Sequence, residues 1–316
     1  MKGYDLISRR RKGVYLVMEN PEVRERFEKA LDSIVAKFES DPRCLAAFLI
    51  GSMSHDFIWE WSDLQILLVY DDSYKGPSDY HLLERDVRVV VNVRRRGEFR
   101  EYLESTNVSD YFFCALSKST LLFAKDKTLK ELFEDMFYIG DRDREIEMLL
   151  GFSEAVYYLN KAEKNYYVKN NRANAIYFIF HIAQGIAWLE VARHRLFPER
   201  EIIAQASKLA PEVFSKVYDR LFNGPVTHQA IGEIIEFCHE YLRGKTAEVY
   251  RPVLTYLREH GTLRDFSLKT RSHGFGINYE WLYRMGIVDI HVEPIKINNH
   301  TEDFYRIEYK ASSLCE

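Results

Sequence analysis

Two short segments carry residue types suited to a phosphorylated ligand. Leu49-Ile50-Gly51-Ser52 ends an apolar run in a Gly-Ser turn, and Trp61-Ser62-Asp63-Leu64-Gln65-Ile66-Leu67-Leu68-Val69 opens a second apolar run with an acidic residue. Glycine lets a backbone come close to phosphate, and the N–H groups of such a turn, with the Ser52 hydroxyl, can donate to its oxygens. Asp63 and Gln65 are two residues apart, so on a strand their side chains share a face. A third run, Val87-Arg88-Val89-Val90-Val91-Asn92-Val93, has valine at every odd position. Those valines should face a core, leaving Arg88, Val90, Asn92 and then Arg94 on the polar face. Taken singly, Gly-Ser is also an ordinary strand-to-helix turn, and Asp63 is also a residue that opens a strand.

The elements around these groups read as a compact domain of strands and helices. Pro21–Ser40 has apolar residues at spacings of three and four (Val23, Phe27, Leu31, Ile34, Val35, Phe38), the pattern of an amphipathic helix, and Asp41-Pro42 stops it. Leu45–Ile50, Leu64–Tyr70, Val87–Val93 and Leu121–Ala124 read as strands, followed by a helix over Leu129–Met136. From Arg142 to Leu242 the pattern is helical and rich in aromatics, punctuated by Pro198, Pro211 and Gly224-Pro225: a bundle of four or five helices whose aromatic stripe is core. The last stretch reads as helices over Ala247–Glu259, Leu263–Leu268 and Asn278–Gly286, then a hairpin from Ile287–Ile297 and Phe304–Tyr309. Three helices and a hairpin resemble a winged helix-turn-helix domain.

With 316 residues, 47% of them hydrophobic, the chain can build two or three domains with real cores. A net charge of −4 gives no global attraction to nucleic acid or anionic membrane. Cys44, Cys114, Cys238 and Cys315 have no metal-ligand spacing and read as thiols of a reduced compartment. The basic run Arg9–Lys12 has no apolar stretch after it, so no signal peptide is read. Tyr177–Ala192, interrupted by His181, Gln184 and Glu190, reads as too short and polar to span a bilayer. Together these point to a cytoplasmic protein.

The Gly51-Ser52 turn, followed at this distance by Ser62-Asp63-Leu64, resembles the nucleotidyltransferase superfamily. Ser119–Asp126 is similar to that family's last strand and turn, and the helical stretch after it to the helical domains of kanamycin- and lincosamide-type enzymes and to the helical partners of minimal nucleotidyltransferases. The resemblance covers roughly residues 20–240, and with the helix-and-hairpin pattern of the last stretch the chain reads as an α+β architecture in three parts: a nucleotidyltransferase-like domain over 1–140, a helical bundle over 141–243 and a winged-helix-like domain over 244–316. The resemblance also implies a chemistry. Two Mg²⁺ ions held by three carboxylates bridge the phosphates of an NTP and an attacking hydroxyl, and a nucleoside monophosphate is transferred as pyrophosphate leaves.

Carried onto this chain, the resemblance makes Gly51 and Ser52 the phosphate cradle and Asp63 the first metal ligand and the catalytic carboxylate. Gln65 then stands at the second carboxylate position and Asn92 at the third. One negative charge remains of about three, and Mg²⁺ gives up water reluctantly for neutral ligands. Asp71, Asp72 and Asp86 lie too far along their strands to substitute. His55–Trp61 is bulky where relatives are often small and polar. The expectation is a nucleotidyltransferase-like protein, with Mg²⁺ and NTP as its cofactors, whose catalysis is weakened or lost: a pseudoenzyme.

Several roles stay open at this point. In the kanamycin-type enzymes an acidic residue of the helical domain can act as base, and Glu154 and Glu163 are positioned for it; Lys161 and Lys164 could meet phosphates. Arg172 and His181 are too widely spaced for the RNase motif of some helical partners. The acceptor, whether an aminoglycoside-like molecule, a protein or RNA, is not selected by any motif. The alternative is a non-enzymatic regulator or scaffold that contacts DNA or a protein partner through the winged helix. Arg264, Lys269, Arg271, His273 and Arg284 would serve DNA, but Asp265, Glu280, Asp289, Glu293, Glu302 and Asp303 oppose them, which argues against it. A homodimer is compatible with the sequence, and no membrane partner is expected.

Overall fold

The computed structural model describes residues 21–55, 58–105, 111–263, 266, 276–295 and 304–312. The chain divides into two compact units, Met1–Glu104 with Ala115–Asp135, and Ser105–Cys114 with Met136–Glu316.

The first unit is a five-stranded mixed sheet with helices on both faces. Its elements in chain order are α1 (Pro21–Ser40), β1 (Cys44–Ile50), β2 (Leu64–Tyr70), β3 (Asp79–Glu84), β4 (Val87–Arg95), α2 (Arg96–Ser105), α3 (Tyr111–Ser117, of which only the part from Ala115 belongs to this unit), β5 (Thr120–Ala124) and α4 (Lys127–Asp135). The strand order is β3-β4-β2-β1-β5. β2 pairs with β4 in parallel, and every other pairing is antiparallel.

β1 and β2 are apolar almost throughout because both of their faces are covered. On one face Ala47, Leu49, Leu64, Ile66, Leu68 and the odd-numbered valines of β4 pack against Val23, Phe27, Ala30 and Ile34 of α1. On the other, Phe48 meets Phe99 of α2 at 5.6 Å and Phe133 of α4 at 5.0 Å between ring centres. Arg96 Nε reaches Asp126 Oδ2 at 2.7 Å and its Nη2 donates to Thr128 Oγ1, joining the starts of α2 and α4. The basic run Arg94–Arg96 is thus partly committed, since Arg95 also pairs with Glu98.

β3 is an edge strand that the sequence reading leaves out. It alternates exposed and half-buried residues over Asp-Tyr-His-Leu-Leu-Glu, with too little apolar content to register as a strand. It turns into β4 through Arg85 and Asp86, both with positive φ (48° and 62°), as a two-residue hairpin with the strand twist requires.

The second unit is helical: α5 (Asp141–Glu163), extended by a π-helical turn (Lys164–Val168), α6 (Arg172–Arg193), α7 (Ile202–Leu209), α8 (Pro211–Val217), α9 (His228–Val249), α10 (Arg251–His260) and α11 (Tyr279–Arg284), then β6 (Val288–Ile295) paired with β7 (Phe304–Ala311). Pro211 opens α8, Asn171 caps α6 through Asn174 N, and Thr227 caps α9 through Ala230 N. α5 and α6 cross closely over Gly151 and Gly185.

One buried cluster runs from Met148 on α5 to Val288 on β6, so helices and hairpin share a core. The position 243/244 lies inside α9, and the helix read over Ala247–Glu259 is the end of α9 plus α10. α11 keeps its Asn278 cap and ends before Gly286 at φ 70°. Of the helix read at Leu263–Leu268, only Leu263 and Phe266 are described; Asn298-Asn299-His300 also lies outside the described residues.

α6 needs a correction. Its 22 residues are long and apolar enough by length and composition to cross a bilayer, unlike the shorter, more polar segment read above. Ala175, Ile179, Ile182, Ala183, Ile186 and Leu189 are buried within the unit's own core, the pattern of a central core helix. Cys44 and Cys238 are buried thiols.

Candidate functional site

Gly51 follows β1 with φ 81°, a left-handed conformation that disfavours any side chain. A Cβ there would meet Gln65 Oε1 at 2.9 Å and Gln65 Cδ at 3.0 Å. This follows from the register, since Ile50 pairs with Gln65 and the turn begins one residue on. Ser52–His55 is a single 3₁₀ turn, and the Gly51 carbonyl is taken by Ser54 N at 3.1 Å and Ser54 Oγ at 2.7 Å.

Asp63 immediately precedes β2. Its Oδ1 lies 2.8 Å from Arg88 Nη2. The contact is an ion pair rather than a directed hydrogen bond: Oδ1 is buried without a hydrogen-bond partner, while Arg88 Nη2 donates to the Trp61 carbonyl at 3.3 Å. Arg88 comes here because the parallel pairing sets Leu64 beside Val89, and hence Asp63 beside Arg88. The loop before Asp63 carries exposed Trp59 and Trp61, and Trp59 N donates to Ser62 Oγ at 3.2 Å. Asp56 and Phe57 lie outside the described residues.

The same register fixes the level of Asn92. β4 does alternate as read, with buried odd positions and a polar even face. Yet the residue beside Gln65 is Val90, and Asn92 stands beside Leu67, one alternation further along. Gly51, Gln65, Asp63 and Arg88 are therefore brought together, while Asn92 shares their face at a different level. Arg88 is the participant that sequence reasoning missed. Its place on the polar face was legible, but its level was not. Asp72 is used elsewhere, accepting from Gly97 N at 2.8 Å, and Asp71 caps Ser73.

The donor set does not suit a magnesium ion. It offers one carboxylate already facing a guanidinium, one amide packed on Gly51 and a second amide a step away. Among the described residues no group of three or more His, Cys, Asp or Glu side chains gathers as a metal site.

No protein-family model matches the chain, and none of the curated proteins does. Among solved structures, a nucleotidyltransferase-like protein from Exiguobacterium sibiricum 255-15 is similar, with a TM-score of 0.59 at 15% identity over 90% of this chain and 99% of that one. The fold is that of a nucleotidyltransferase-like protein. At this identity the likeness speaks to the fold, and the chemistry must come from the residues above.

The acidic candidates of the helical stretch lie in the second unit. Glu163 Oε2 is 3.9 Å from Arg284 Nη1. Glu154 is different: burial pushes its carboxyl up to about 7, with nothing offsetting it. Below its ordinary value near 4.5 the group is protonated in folded and unfolded chains alike and costs nothing. Between there and about pH 7 the unfolded chain ionises first, so stability falls as pH rises, and above 7 the loss is constant. Glu154→Gln should therefore stabilise the protein at pH 8 by about 1–2 kcal/mol, allowing for residual water access, and leave it unchanged at pH 4. Urea unfolding at both pH values checks this, and equal effects at both would refute it.

Proposed function

We propose that this is a nucleotidyltransferase-like protein that has lost magnesium-dependent transfer of nucleoside monophosphates to a hydroxyl acceptor. The observation that carries this reading is the amide of Gln65, packed against Gly51 at the second carboxylate position, which leaves Asp63 as the one carboxylate where the resemblance expects metal ligands; Arg88 Nη2 approaches its Oδ1 at 2.8 Å. A guanidinium places positive charge there but has no open coordination position and cannot take a proton from a hydroxyl. An ion pair whose arginine is 65% exposed is worth about 1 kcal/mol or less, so it would not exclude a strongly held metal. The decisive deficit is in the ligands, Gln65 above all.

The test is to rebuild the site. Gln65→Asp together with Arg88→Asp would put three carboxylates at adjacent positions on one face. Mg²⁺-dependent NTP binding, followed by calorimetry, should strengthen about tenfold or more, which is about 1.4 kcal/mol. A rebuilt protein that binds no better than the natural one would contradict the assignment of these positions.

A second reading, a regulator or scaffold acting through the C-terminal hairpin, draws support from Val292, Tyr305 and Ile307, which leave an apolar face of that hairpin exposed. Such a face suits a protein partner better than DNA. Lys269 and Arg271, the candidate DNA contacts, lie outside the described residues.

A further inference from the structure

β6 and β7 pair with each other, and the bonds at the root of this hairpin fix which way its backbone groups point. Leu263 N donates to the Tyr309 carbonyl and Ala311 N to the Gly261 carbonyl, so the odd residues of β7 face Gly261–Leu263. The even residues of β7 therefore bond to the odd residues of β6, as Ser312 N bonds to the Ile287 carbonyl. That leaves an outer edge on β6: the N–H and C=O groups of Val288, Ile290 and Val292, and the carbonyl of Pro294. Among the described residues no backbone group bonds to this edge.

The hairpin also outruns its core. Val288 is buried, but Ile290, Val292, Tyr305 and Ile307, on the same face, are exposed. A two-stranded ribbon is marginal in water and gains from further strands, and an open edge is a template for one.

The sequence of this edge makes it complementary to itself. Two copies related by a two-fold axis would pair β6 antiparallel with β6, and the residue at the centre decides which side chains face each other. Centred on His291, Asp289 faces Glu293 of the second copy, twice over; centred on Glu293, that residue faces its own copy. Both arrangements set like charges opposite one another, which is destabilising. Centred on Ile290, the ladder needs the backbone of Val288, which is 0% exposed. A centre on Pro294 has no N–H to give. Centred on Val292, His291 faces Glu293 of the second copy twice, Val292 meets Val292, and Ile290 meets Pro294. The Val292 groups exchange two hydrogen bonds, Ile290 N donates to the Pro294 carbonyl of the second copy, and the ladder ends where proline lacks a donor.

We propose that the outer edge of β6 pairs with the same edge of a second copy of this chain, making a four-stranded antiparallel sheet across a two-fold axis at Val292. The proposal rests on the second reading above, that this hairpin face is an interface, and names its partner. It does not depend on how the Asp63 region is read.

The test uses the full chain. Sedimentation equilibrium from about 1 to about 200 μM should show a reversible monomer–dimer equilibrium, as an interface of this small size gives. Val292→Pro removes the central outward N–H at an edge position where proline is tolerated, and should weaken the dimer about tenfold or more. His291→Glu sets carboxylates opposite Glu293 and should weaken it about threefold or more, whereas His291→Lys should not. The two Val292 Cα atoms would stand about 5.5 Å apart, within disulfide range. Val292→Cys should therefore cross-link under mild oxidation, while the natural chain and Tyr305→Cys, one strand further out, should not. A natural chain that stays monomeric at about 200 μM overturns the proposal, though not the reading of this face as an interface for another protein. A dimer indifferent to both Val292→Pro and His291→Glu, or cross-linking equal at positions 292 and 305, overturns it as well.

Discussion

Replacing Glu190 with alanine is expected to lower the stability of the helical unit by about 3 kcal/mol. Glu190 is 2% exposed in the last turn of the core helix α6. Its carboxylate accepts from Arg193 Nη1 at 2.9 and 2.8 Å and from the Tyr241 hydroxyl on α9. Burial, then the charge of Glu190, hold that phenol far above its usual range, so Tyr241 remains a donor. Alanine would strand the hydroxyl and leave a three-quarters-buried guanidinium with only Glu248, at 3.1 Å. Breaking a buried pair this way costs about 3–5 kcal/mol, and the remaining Glu248 contact argues for the lower end. Urea unfolding should show the loss, with Tm down by about 9 °C. Glu190→Gln, which keeps an acceptor, should cost less. A Glu190→Ala change within about 0.5 kcal/mol of the natural protein would refute the role given to this network.

Gly185→Val is the second large effect. A Cβ at Gly185 would lie 2.6 Å from Ala155 N and 2.9 Å from both Ala155 Cα and Gly151 O; one at Gly151 would lie 2.8 Å from Leu189 N. These are backbone atoms of helices locked in a shared core, so they cannot give way as a flexible side chain would. Valine adds two methyl groups to a Cβ that already has no room. Overpacking of this kind costs about 3 kcal/mol, and α5 must move away from α6 along much of its length. The variant should unfold earlier and bind a hydrophobic dye in its folded baseline. Gly244→Ala, where a Cβ meets nothing, is the control and should be neutral or mildly stabilising, as helix propensity directs. A fully stable Gly185→Val protein would mean that the helices do not cross as described.

What the sequence revealed and concealed follows one physical distinction. Period-two alternation reports which face a residue occupies, and on β4 it did so correctly, separating the valines from Arg88, Val90 and Asn92. It does not report the level of one strand against another. β2 and β4 pair in parallel with β3 between them in sequence, so no tight turn fixes their offset, and a slip of two residues keeps every face unchanged. That is why the level of Asn92, which stands beside Leu67, was not legible, and why Arg88 was not matched with Asp63. Glu190 was hidden for a similar reason. In sequence it is a polar break in an apolar run, whereas its partner Tyr241, and Glu248 that shares Arg193 with it, come from a helix some fifty residues on. The caps and stops at Asn171, Pro211, Asn278 and Gly286 act locally and were readable locally.

The central proposal is that the residues around Asp63 do not support metal-dependent nucleotide chemistry. Its most direct test is calorimetric titration of the natural protein with each of the four NTPs, with and without Mg²⁺. The account predicts that Mg²⁺ adds nothing to binding for any of them. Tight, Mg²⁺-dependent binding of even one NTP would contradict it, and would mean that Asp63 leaves Arg88 to serve a metal after all.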